Sequence, residues 1–249
     1  MGKLQGKVAV VTGASKGIGA AIAKAYAAEG ATVVVNYASD RAGAERVVSE
    51  IEGKGGKALA LQGDVAKGGD VERLFAVTKE SYGRVDVVVN NAGVFAFYPL
   101  DQVTEAEFHR QFNINVLGSL LVAQQAAKYI GPDGGSIVNV SSVISESPLA
   151  GSTIYAATKG AVDTLSGALA LELAPRNIRV NTLAPGGVET EGSRKLGIGD
   201  SDFGKDIIAR TPLGRLGQPD DIAKVAVFLA SDDSSWLTGE RITASGGLQ

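Results

Sequence analysis

The chain has 249 residues, 20% of them charged, with a net charge of −3 and no cysteine. A chain of this length buries enough surface to fold without a disulfide or metal, and the absence of cysteine excludes a thiolate metal site or nucleophile. The slightly acidic balance argues against a nucleic-acid partner, and no apolar run approaches the ~20 residues of a membrane span, so we expect a soluble, cytoplasmic protein without membrane contact.

Short apolar runs alternate with amphipathic segments along the chain. In the first half, they predict strands at residues 7–12, 32–36, 58–61 and 85–90, and helices at residues 18–29, 41–54 and 71–82. In the second half, they predict helices at about residues 105–130, 154–173 and 220–229, and strands at residues 136–140, 179–183 and 241–243. Strands that alternate with helices form a parallel sheet covered on both faces. We therefore predict an α/β fold with a Rossmann-like, doubly wound parallel sheet in a single domain, residues 1–249.

One polar segment, at about residues 189–211, does not follow this alternation. It contains Gly192, Gly197 and Gly204. Long loops of this kind commonly cover a binding site and close over the substrate. The segment is therefore predicted to be a mobile substrate lid.

A glycine-rich turn joins the first predicted strand to the first predicted helix. Gly13, Gly17 and Gly19 lie in the sequence Gly-Ala-Ser-Lys-Gly-Ile-Gly. Such a turn brings backbone N–H groups against a pyrophosphate where a Cβ would obstruct it, and the helix start adds its positive dipole end. The spacing differs from the usual G-x-G-x-x-G, so a tight turn without a ligand is the alternative. If the turn binds a cofactor, it also contributes Ser15, Lys16 and Ile18.

The end of the second strand bears on which nicotinamide nucleotide fits. An NAD site usually places a carboxylate there to bind the ribose 2′-hydroxyl, whereas Asn36, Tyr37 and Ser39 are uncharged. A 2′-phosphate can instead lie near Ser39 and the cations Lys16 and Arg41. The sequence thus favours NADP(H) over NAD(H), although both cations also fit the description of solvated surface charges.

Tyr155 and Lys159 are separated by four residues on a predicted helix and therefore share one face of it. A free tyrosine has a pKa of about 10, and a neighbouring ammonium is expected to lower that pKa toward neutrality, so that the phenol can act as an acid/base. Ser142 follows the strand at residues 136–140, where its hydroxyl can hold a carbonyl or alcohol oxygen. A chance pair on a solvated helix face is the alternative for Tyr155 and Lys159.

Several motifs occur in order along the chain: Thr12-Gly13-x-x-x-Gly17-x-Gly19, Asn90-Asn91-Ala92-Gly93, Ser142, Tyr155-x-x-x-Lys159 and Pro185-Gly186. In this register the sequence closely resembles the short-chain dehydrogenase/reductase family, over about residues 4–247. The nearest resemblance is to 3-oxoacyl-[acyl-carrier-protein] reductases and to ketone or sugar dehydrogenases close to glucose 1-dehydrogenase.

The resemblance implies roles for further residues. Asn115 resembles the asparagine that completes a catalytic tetrad with Ser142, Tyr155 and Lys159 and maintains a proton relay; a satisfied buried amide is the alternative. Lys159 is also implied to hold the nicotinamide ribose together with Tyr155. The remaining implied cofactor contacts lie beside the adenine, at the ribose, and at the carboxamide and phosphates: Asp64 and Val65; Asn91, Ala92 and Gly93; Pro185, Gly186, Val188 and Thr190.

The implied activity is that of an NADP-dependent oxidoreductase acting on CH–OH groups, which transfers a hydride between nicotinamide and a small-molecule carbonyl or secondary alcohol. A 3-oxoacyl-[acyl-carrier-protein] reductase is the alternative, disfavoured because only Lys128 supplies positive charge at residues 127–133. A catalytically silent, nucleotide-sensing protein is the remote alternative. Family members are commonly homotetramers, and the apolar helix at residues 161–173 is compatible with burial by a partner.

A few other side chains were considered for the site. His109 is the only histidine, so it forms no metal site by itself and is expected at the surface. Phe95, Phe97 and Tyr98 follow the predicted ribose turn and form either an apolar substrate wall or ordinary loop packing. Trp236 is expected to pack against the chain or a subunit.

Overall fold

Strands form where the sequence has its short β-branched runs. The computed structural model describes residues 2–195 and 201–248, so Gly197 of the predicted lid lies outside the described residues. The described strands are β1 (Val8–Val11), β2 (Thr32–Tyr37), β3 (Lys57–Gln62), β4 (Val87–Asn90), β5 (Gly135–Val140), β6 (Ile178–Pro185) and β7 (Arg241–Ala244). The described α-helices are α1 (Gly17–Ala28), α2 (Arg41–Glu52), α3 (Gly68–Tyr82), α4 (Glu105–Phe112), α5 (Gly118–Tyr129), α6 (Thr153–Leu173), α7 (Glu191–Lys195), α8 (Asp202–Arg210) and α9 (Pro219–Ala230).

The strands form a parallel sheet in the order β3-β2-β1-β4-β5-β6-β7. β1 pairs with β2 on one side and with β4 on the other. The chain therefore builds outward to β3, then crosses back and continues from β4 in the opposite direction. Ligands of open α/β sheets bind in the crevice outside the carboxyl ends of the strands at such a reversal. The predicted doubly wound, single-domain fold is confirmed.

Two hydrophobic cores lie on the two faces of the sheet. Side chains alternate between the faces along a strand, so Val33 and Val35 of β2 join one core and Val34 joins the other. The first core is covered by α1, α2 and α9, and the second by α3, α5 and α6. Because both faces of the sheet are buried, the central strands β1, β2 and β4 are almost continuously apolar and do not alternate with polar residues.

The predicted long helix at residues 105–130 is interrupted in the structure. Between α4 and α5, the segment Asn113–Leu117 is π-helical, and the N–H of Gly118 donates to the carbonyl of Asn113. A π-helical turn carries one residue more than an α-helical turn, and such turns often occur at functional sites. This one contains Asn115.

The described residues of the predicted lid are partly helical and do not form one irregular loop. Helices α7 and α8 flank residues 196–200, which lie outside the described part. Ser201 caps α8, since its hydroxyl accepts a hydrogen bond from the N–H of Gly204 at 3.1 Å. This serine precedes the apolar positions Phe203 and Ile207, a helix-start pattern that the glycine content obscured.

None of the helices in the described residues is both long enough and apolar enough to span a membrane.

Candidate active site

The glycine-rich turn follows β1 at the carboxyl edge of the sheet. Gly13 has a φ of +60°, and a Cβ there would lie 2.8 Å from the Cα of Ala92. A Cβ on Gly19 would lie 2.4 Å from Nδ2 of Asn91. Since both distances are shorter than real Cβ contacts allow, only glycine fits at these two positions. The turn therefore presents backbone atoms at its surface, and side chains at positions 13 and 19 would take up space that the fold does not have.

The neighbouring turn after β4 holds the glycine-rich turn in place. Nδ2 of Asn91 donates to the carbonyls of Thr12 and Gly13, at 2.9 and 3.0 Å. The hydroxyl of Thr12 accepts from the N–H groups of Asn91 and Ala92, each at 3.0 Å. The two turns therefore form one hydrogen-bonded unit across the point where the strand order reverses.

The start of α1 fits a phosphate group. Its N-cap is Lys16, which makes no side-chain cap hydrogen bond. The first N–H groups of a helix lack intrahelical acceptors, and the helix dipole is positive there. Gly17, with a φ of +58°, opens the helix without a Cβ in front of these groups. The glycine-rich turn, the free N–H groups at the start of α1 and the exposed lysine are together the hydrogen-bond donors and positive charge that a dinucleotide pyrophosphate requires.

At the end of β2, the predicted cofactor contacts divide into buried and exposed residues. Asn36 is 1% exposed; its amide donates to the carbonyls of Leu61 and Gly63 and accepts from Gly13 N–H at 3.4 Å. The Asn36 side chain therefore contacts the glycine-rich turn on its buried side and helps to hold it in place. Tyr37 is buried too, whereas Ser39 is exposed.

Two charged residues follow Ser39. The carboxylate of Asp40 caps α2 by accepting from Gly43 N–H at 3.0 Å. Arg41 pairs with Glu45 at 2.7 Å and is 75% exposed, so part of its charge is neutralised locally. Lys16 is the cation beside the glycine-rich turn, and it lines a separate depression with Arg46 of α2.

After β3, Asp64 and Val65 reach the same edge of the sheet. Asp64 accepts from Ala66 N–H at 3.1 Å and its N–H donates to Asp70 at 3.0 Å, so the turn before α3 is ordered by carboxylates. Val65 is buried against the start of α5, where a Cβ on Gly118 would lie 2.7 Å from its Cγ2.

Ser142, Tyr155 and Lys159 meet beside this edge. Ser142 caps the 3₁₀ turn Val143–Ser145 at the end of β5, and its hydroxyl accepts from Ile144 N–H at 3.3 Å. Tyr155 and Lys159 lie one turn apart on α6, with Nζ of the lysine 5.7 Å from the centre of the tyrosine ring. Nζ also donates to the carbonyl of Val140 at 2.8 Å.

The pKa of Tyr155 is shifted in the direction opposite to our expectation. Burial raises the pKa of Tyr155 to about 12, and a hydrogen bond with Ser142 partly opposes that rise. Burial also lowers the pKa of Lys159 to about 8, with the negative charge of Asp163 acting against it. The lysine lies over the tyrosine ring, and in this structure desolvation outweighs any stabilisation of the phenolate by the ammonium.

Asn115 ties α6 to the turn after β4. Its Oδ1 accepts from Val94 N–H at 2.8 Å, and its Nδ2 donates to the Val94 carbonyl at 2.8 Å and to the Thr158 hydroxyl at 3.0 Å. The hydroxyl of Thr158 in turn donates to the carbonyl of Tyr155 at 2.7 Å. The side chain thus matches the satisfied buried amide considered as the alternative, while the proton relay stays a prediction.

Gly93 lies between Asn115 and Lys159. A Cβ on it would lie 3.3 Å from Oδ1 of Asn115 and 3.7 Å from Nζ of Lys159. Asn115 therefore lies behind the site, and the glycine leaves room in front of the lysine.

The loop after β6 completes the edge. Gly186 N–H donates to the carbonyl of Ala244 at 3.1 Å, and a Cβ on Gly186 would lie 2.8 Å from Ser245 Cα. Thr190 N–H donates to the hydroxyl of Ser193 at 2.7 Å, which fixes the turn into α7. Pro185 ends β6 directly before the first anchor, and Val188 lies between the two.

One cavity of about 270 Å³ brings many of the predicted residues together. Its lining includes the following candidates: Ile18, Asn91, Gly93, Ser142, Tyr155, Lys159, Pro185, Gly186, Val188 and Thr190. The opposite wall is apolar. Phe95 and Phe97 contact the Tyr155 ring at centroid distances of 5.8 and 6.2 Å, and Phe203 of α8 contacts Phe97 at 6.2 Å.

Sequence reasoning missed part of this wall. Phe203, Ile207 and Leu216 come from the lid segment and the loop that follows, where no local pattern indicates a shared cavity. Tyr98 does not line the cavity, which matches the alternative of ordinary loop packing; its N–H donates to the Gly151 carbonyl at 2.9 Å. Thr158 was also missed, although a polar residue directly before Lys159 on a buried helix face was an available clue.

His109 and Trp236 both lie at the surface. His109 is 58% exposed beside Glu105, with 3.5 Å between Nε2 and Oε1, as expected for a solvated side chain. Trp236 is 97% exposed, so it does not pack within the chain.

Comparisons with known proteins agree with this architecture. The chain matches the family model described as Enoyl-(Acyl carrier protein) reductase over residues 13–249. An uncharacterized oxidoreductase of Methylorubrum extorquens is 55% identical over 249 residues, 100% of both chains. A hydroxynaphthalene reductase-like protein of Metarhizium brunneum is 40% identical over 255 residues, covering 98% of this chain and 95% of the relative. The crystal structure of a short chain dehydrogenase from Burkholderia cenocepacia in complex with NADP has a TM-score of 0.93 and 36% identity, covering 99% of each chain.

Proposed function

Because the chain belongs to the short-chain dehydrogenase/reductase family of oxidoreductases, we propose that it is an NADP(H)-dependent enzyme that transfers a hydride between nicotinamide and a carbonyl or secondary alcohol. One observation carries the proposal. Ser142, Tyr155 and Lys159 line a single cavity together with Ile18 of the glycine-rich turn and with Asn91, whose amide holds that turn.

Each side chain has a distinct task in the proposed reaction. Bound NADPH supplies the hydride that reaches the carbonyl carbon. Ser142 donates a hydrogen bond to the substrate oxygen; in the structure its hydroxyl accepts from Ile144 N–H and hydrogen-bonds with Tyr155, which places it beside the phenol. Tyr155 gives its proton to the same oxygen. Lys159 holds positive charge beside the phenol, and general acid catalysis of this kind contributes on the order of 10²–10⁴ in rate.

The environment of Tyr155 determines its protonation state. Burial raises the pKa of Tyr155 to about 12, so the phenol is protonated near neutral pH and can donate to an oxygen on which negative charge develops.

The end of β2 supports NADP(H) as the cofactor. Ser39 is exposed there, and the nearest carboxylate, Asp40, is engaged as the cap of α2. Lys16 is exposed beside the glycine-rich turn, available for a 2′-phosphate. The Burkholderia relative binds NADP, as its name states.

The cavity supports an apolar ketone as the substrate. Among its described lining residues, Lys159 and Arg210 carry the charge, and Arg210 lies 3.6 Å from Asp206. A 3-oxoacyl-carrier-protein reductase would instead need a cationic surface at the mouth for its acidic partner. The name of the Metarhizium relative indicates a flat ring substrate for that protein, and the phenylalanine wall here is compatible with a ring-bearing ketone.

We also propose a homotetramer. Several large apolar side chains on α4, α5 and α6 and the π-helical segment are exposed: Phe108, Leu117, Leu120 and Leu171. A patch of this kind on helices indicates a protein interface. A monomeric mass by light scattering would contradict the assembly without affecting the proposed reaction. The cytoplasmic location stays a prediction.

The proposal is tested by following NADPH and NADH oxidation with a ring-bearing ketone, a small aliphatic ketone, acetoacetyl thioester and a glucose-type sugar. We expect the highest kcat/KM with NADPH and the ring-bearing ketone. A marked preference for the thioester would establish the carrier-protein alternative. Nucleotide binding without turnover of any substrate would instead indicate the silent, nucleotide-sensing alternative.

A further inference from the structure

Arg241 lies on the edge strand β7, far from the glycine-rich turn, yet it contacts the Ser142 turn directly. Its side chain is only 17% exposed. Nη2 donates to the carbonyl of Ser142 at 3.2 Å and to the hydroxyl of Ser145 at 3.1 Å. Nη1 pairs with Glu146 at 2.8 Å, and Nε pairs with Asp163 of α6 at 3.2 Å. One guanidinium therefore joins β7, the segment after β5, and α6.

The hydrogen bonds to the Ser142 turn fix its backbone. The carbonyl of Ser142 accepts from the Ser145 hydroxyl at 2.9 Å as well as from Arg241. The serine hydroxyl accepts from the N–H of Ile144 within the same turn. Since a planar guanidinium donates in fixed directions, it restrains the turn against α6 in a way that a single ammonium group cannot reproduce.

The second partner of Arg241, Asp163, lies one helical turn beyond Lys159. Its Oδ1 is buried and has no hydrogen-bond donor among the described residues, so Arg241 is the main counter-charge of this carboxylate. The charge of Asp163 acts on Lys159, raising its pKa against the effect of burial. Arg241 therefore controls how much negative charge the lysine experiences.

The remaining charged groups near α6 are engaged elsewhere. Lys159 faces Tyr155 and Asp163 on its own helix, while β5 and the π-helical segment Asn113–Leu117 contain no ionisable residue. The other charged side chains on elements packed against α6 have these partners: Glu105 with His109, Glu107 with Arg110, Lys128 with the Tyr129 ring, and Arg176 and Arg179 with backbone carbonyls.

We propose that Arg241 is a positioning residue of the active site, which holds the Ser142 turn in place and neutralises Asp163 beside Lys159. This role rests on the proposed function, because it acts through two of the proposed catalytic residues. The two tasks are separable: the first needs the shape of the guanidinium, and the second needs only its charge.

Three substitutions separate the tasks, each measured as kcat against pH in ketone reduction. We expect Arg241→Gln to lower kcat by roughly 10- to 100-fold, because small displacements of reacting groups have effects of that size. Activity should be lost at high pH as Lys159 loses its proton, and we call this pH the pH limit. Arg241→Gln should raise the pH limit, since an unneutralised Asp163 keeps Lys159 charged. Arg241→Lys should restore the wild-type pH limit but not kcat. Asp163→Asn should move the limit to lower pH.

Glu146→Gln is the matched control. It removes the other carboxylate that pairs with Arg241, but Glu146 is 67% exposed and does not act on Lys159. Its pH limit and kcat should stay within about twofold of wild type, as for an exposed ion pair. The proposal is overturned if Arg241→Gln retains wild-type kcat and pH limit, or if Arg241→Gln and Asp163→Asn shift the limit in the same direction.

Urea unfolding between pH 6 and 10 supplies a readout that is independent of turnover. The pKa of Lys159 is lower in the folded protein than in the unfolded chain, so the unfolded state binds more protons above about pH 8 and the free energy of unfolding rises with pH there. That rise should begin at lower pH in Asp163→Asn and at higher pH in Arg241→Gln. If wild type reduces no ketone, the proposed function fails, while unchanged onsets in both variants would reject the neutralisation of Asp163.

Discussion

The two walls of the candidate active site are built in different ways. The cofactor wall is the backbone of the glycine-rich turn: only glycine fits at positions 13 and 19, and the Asn91 amide donates to the carbonyl of Gly13. The substrate wall is made of side chains, with Phe97 and Phe203 in ring contact and half-exposed. A backbone wall tolerates almost no substitution, whereas a side-chain wall can change shape. We therefore expect changes at the first wall to affect every substrate and changes at the second to depend on the substrate.

Tyr155→Phe tests the group that lies between the two walls, and we expect the largest effect there. Loss of the phenolic proton should lower kcat by about 10²- to 10⁴-fold for all ketones, because no other acid donates to the substrate oxygen. NADPH affinity, measured by fluorescence titration, should change little. Tyr129→Phe, which removes a hydroxyl from a ring packed on Phe75, is the control and should behave as wild type. Retained turnover in Tyr155→Phe would contradict the mechanism.

Gly13→Ala tests the backbone wall. The new Cβ would meet the Cα of Ala92 in a left-handed conformation, which costs about 1–2 kcal/mol before the steric conflict is included. We expect a lower Tm and at least a tenfold weaker NADPH affinity, measured by thermal unfolding and titration.

Gly55→Ala is the matched control for this wall, because Gly55 has a φ of +79° but no atom within 4 Å of a Cβ. It should show the conformational strain alone, with unchanged NADPH affinity. Equal losses of NADPH affinity in both variants would mean that the closeness of the two turns has no special role.

The same contrast between backbone and side chains explains which residues of the site could be predicted from the sequence. Gly13, Asn91 and the Tyr155–Lys159 pair follow from local rules, since positive φ values and a four-residue helical spacing can be inferred from nearby residues. Phe203 and Arg241 reach the site across contacts between distant segments, which no local pattern encodes. Our prediction that the pKa of Tyr155 is lowered was wrong for a related reason. Burial raises this pKa, and burial is a property of the folded chain.

The π-helical segment shows the same limit. Periodicity predicted a helix at residues 105–130, and helical structure is present there, but periodicity does not distinguish a single π-helical turn from a continuous α-helix. The hydrogen bonds of Asn115 to Val94 and Thr158 depend on this local change of pitch. A buried asparagine in the middle of an apolar helix was the available indication.

Ala38→Asp tests the cofactor wall at its exposed rim, where we expect a smaller change. Ala38 is exposed between Tyr37 and Ser39, so an added carboxylate does not disturb the core. It should repel a 2′-phosphate and offer an acceptor to a 2′-hydroxyl. The ratio of kcat/KM for NADPH to that for NADH should fall by roughly tenfold, about 1.4 kcal/mol. An unchanged ratio would place the 2′ position away from the end of β2.

Phe203→Ala tests the side-chain wall and should have the smallest effect. Loss of an aromatic contact of about 0.5–1.5 kcal/mol should raise KM roughly 2- to 10-fold for a ring-bearing ketone, with little change for a small aliphatic ketone or in NADPH affinity. Leu100→Ala is the control, since Leu100 is an exposed apolar side chain, at 77%, that does not line the cavity. If Phe203→Ala raised KM equally for both ketones, the substrate wall would act by closing the cavity as a whole, and its independence from the backbone wall would be lost.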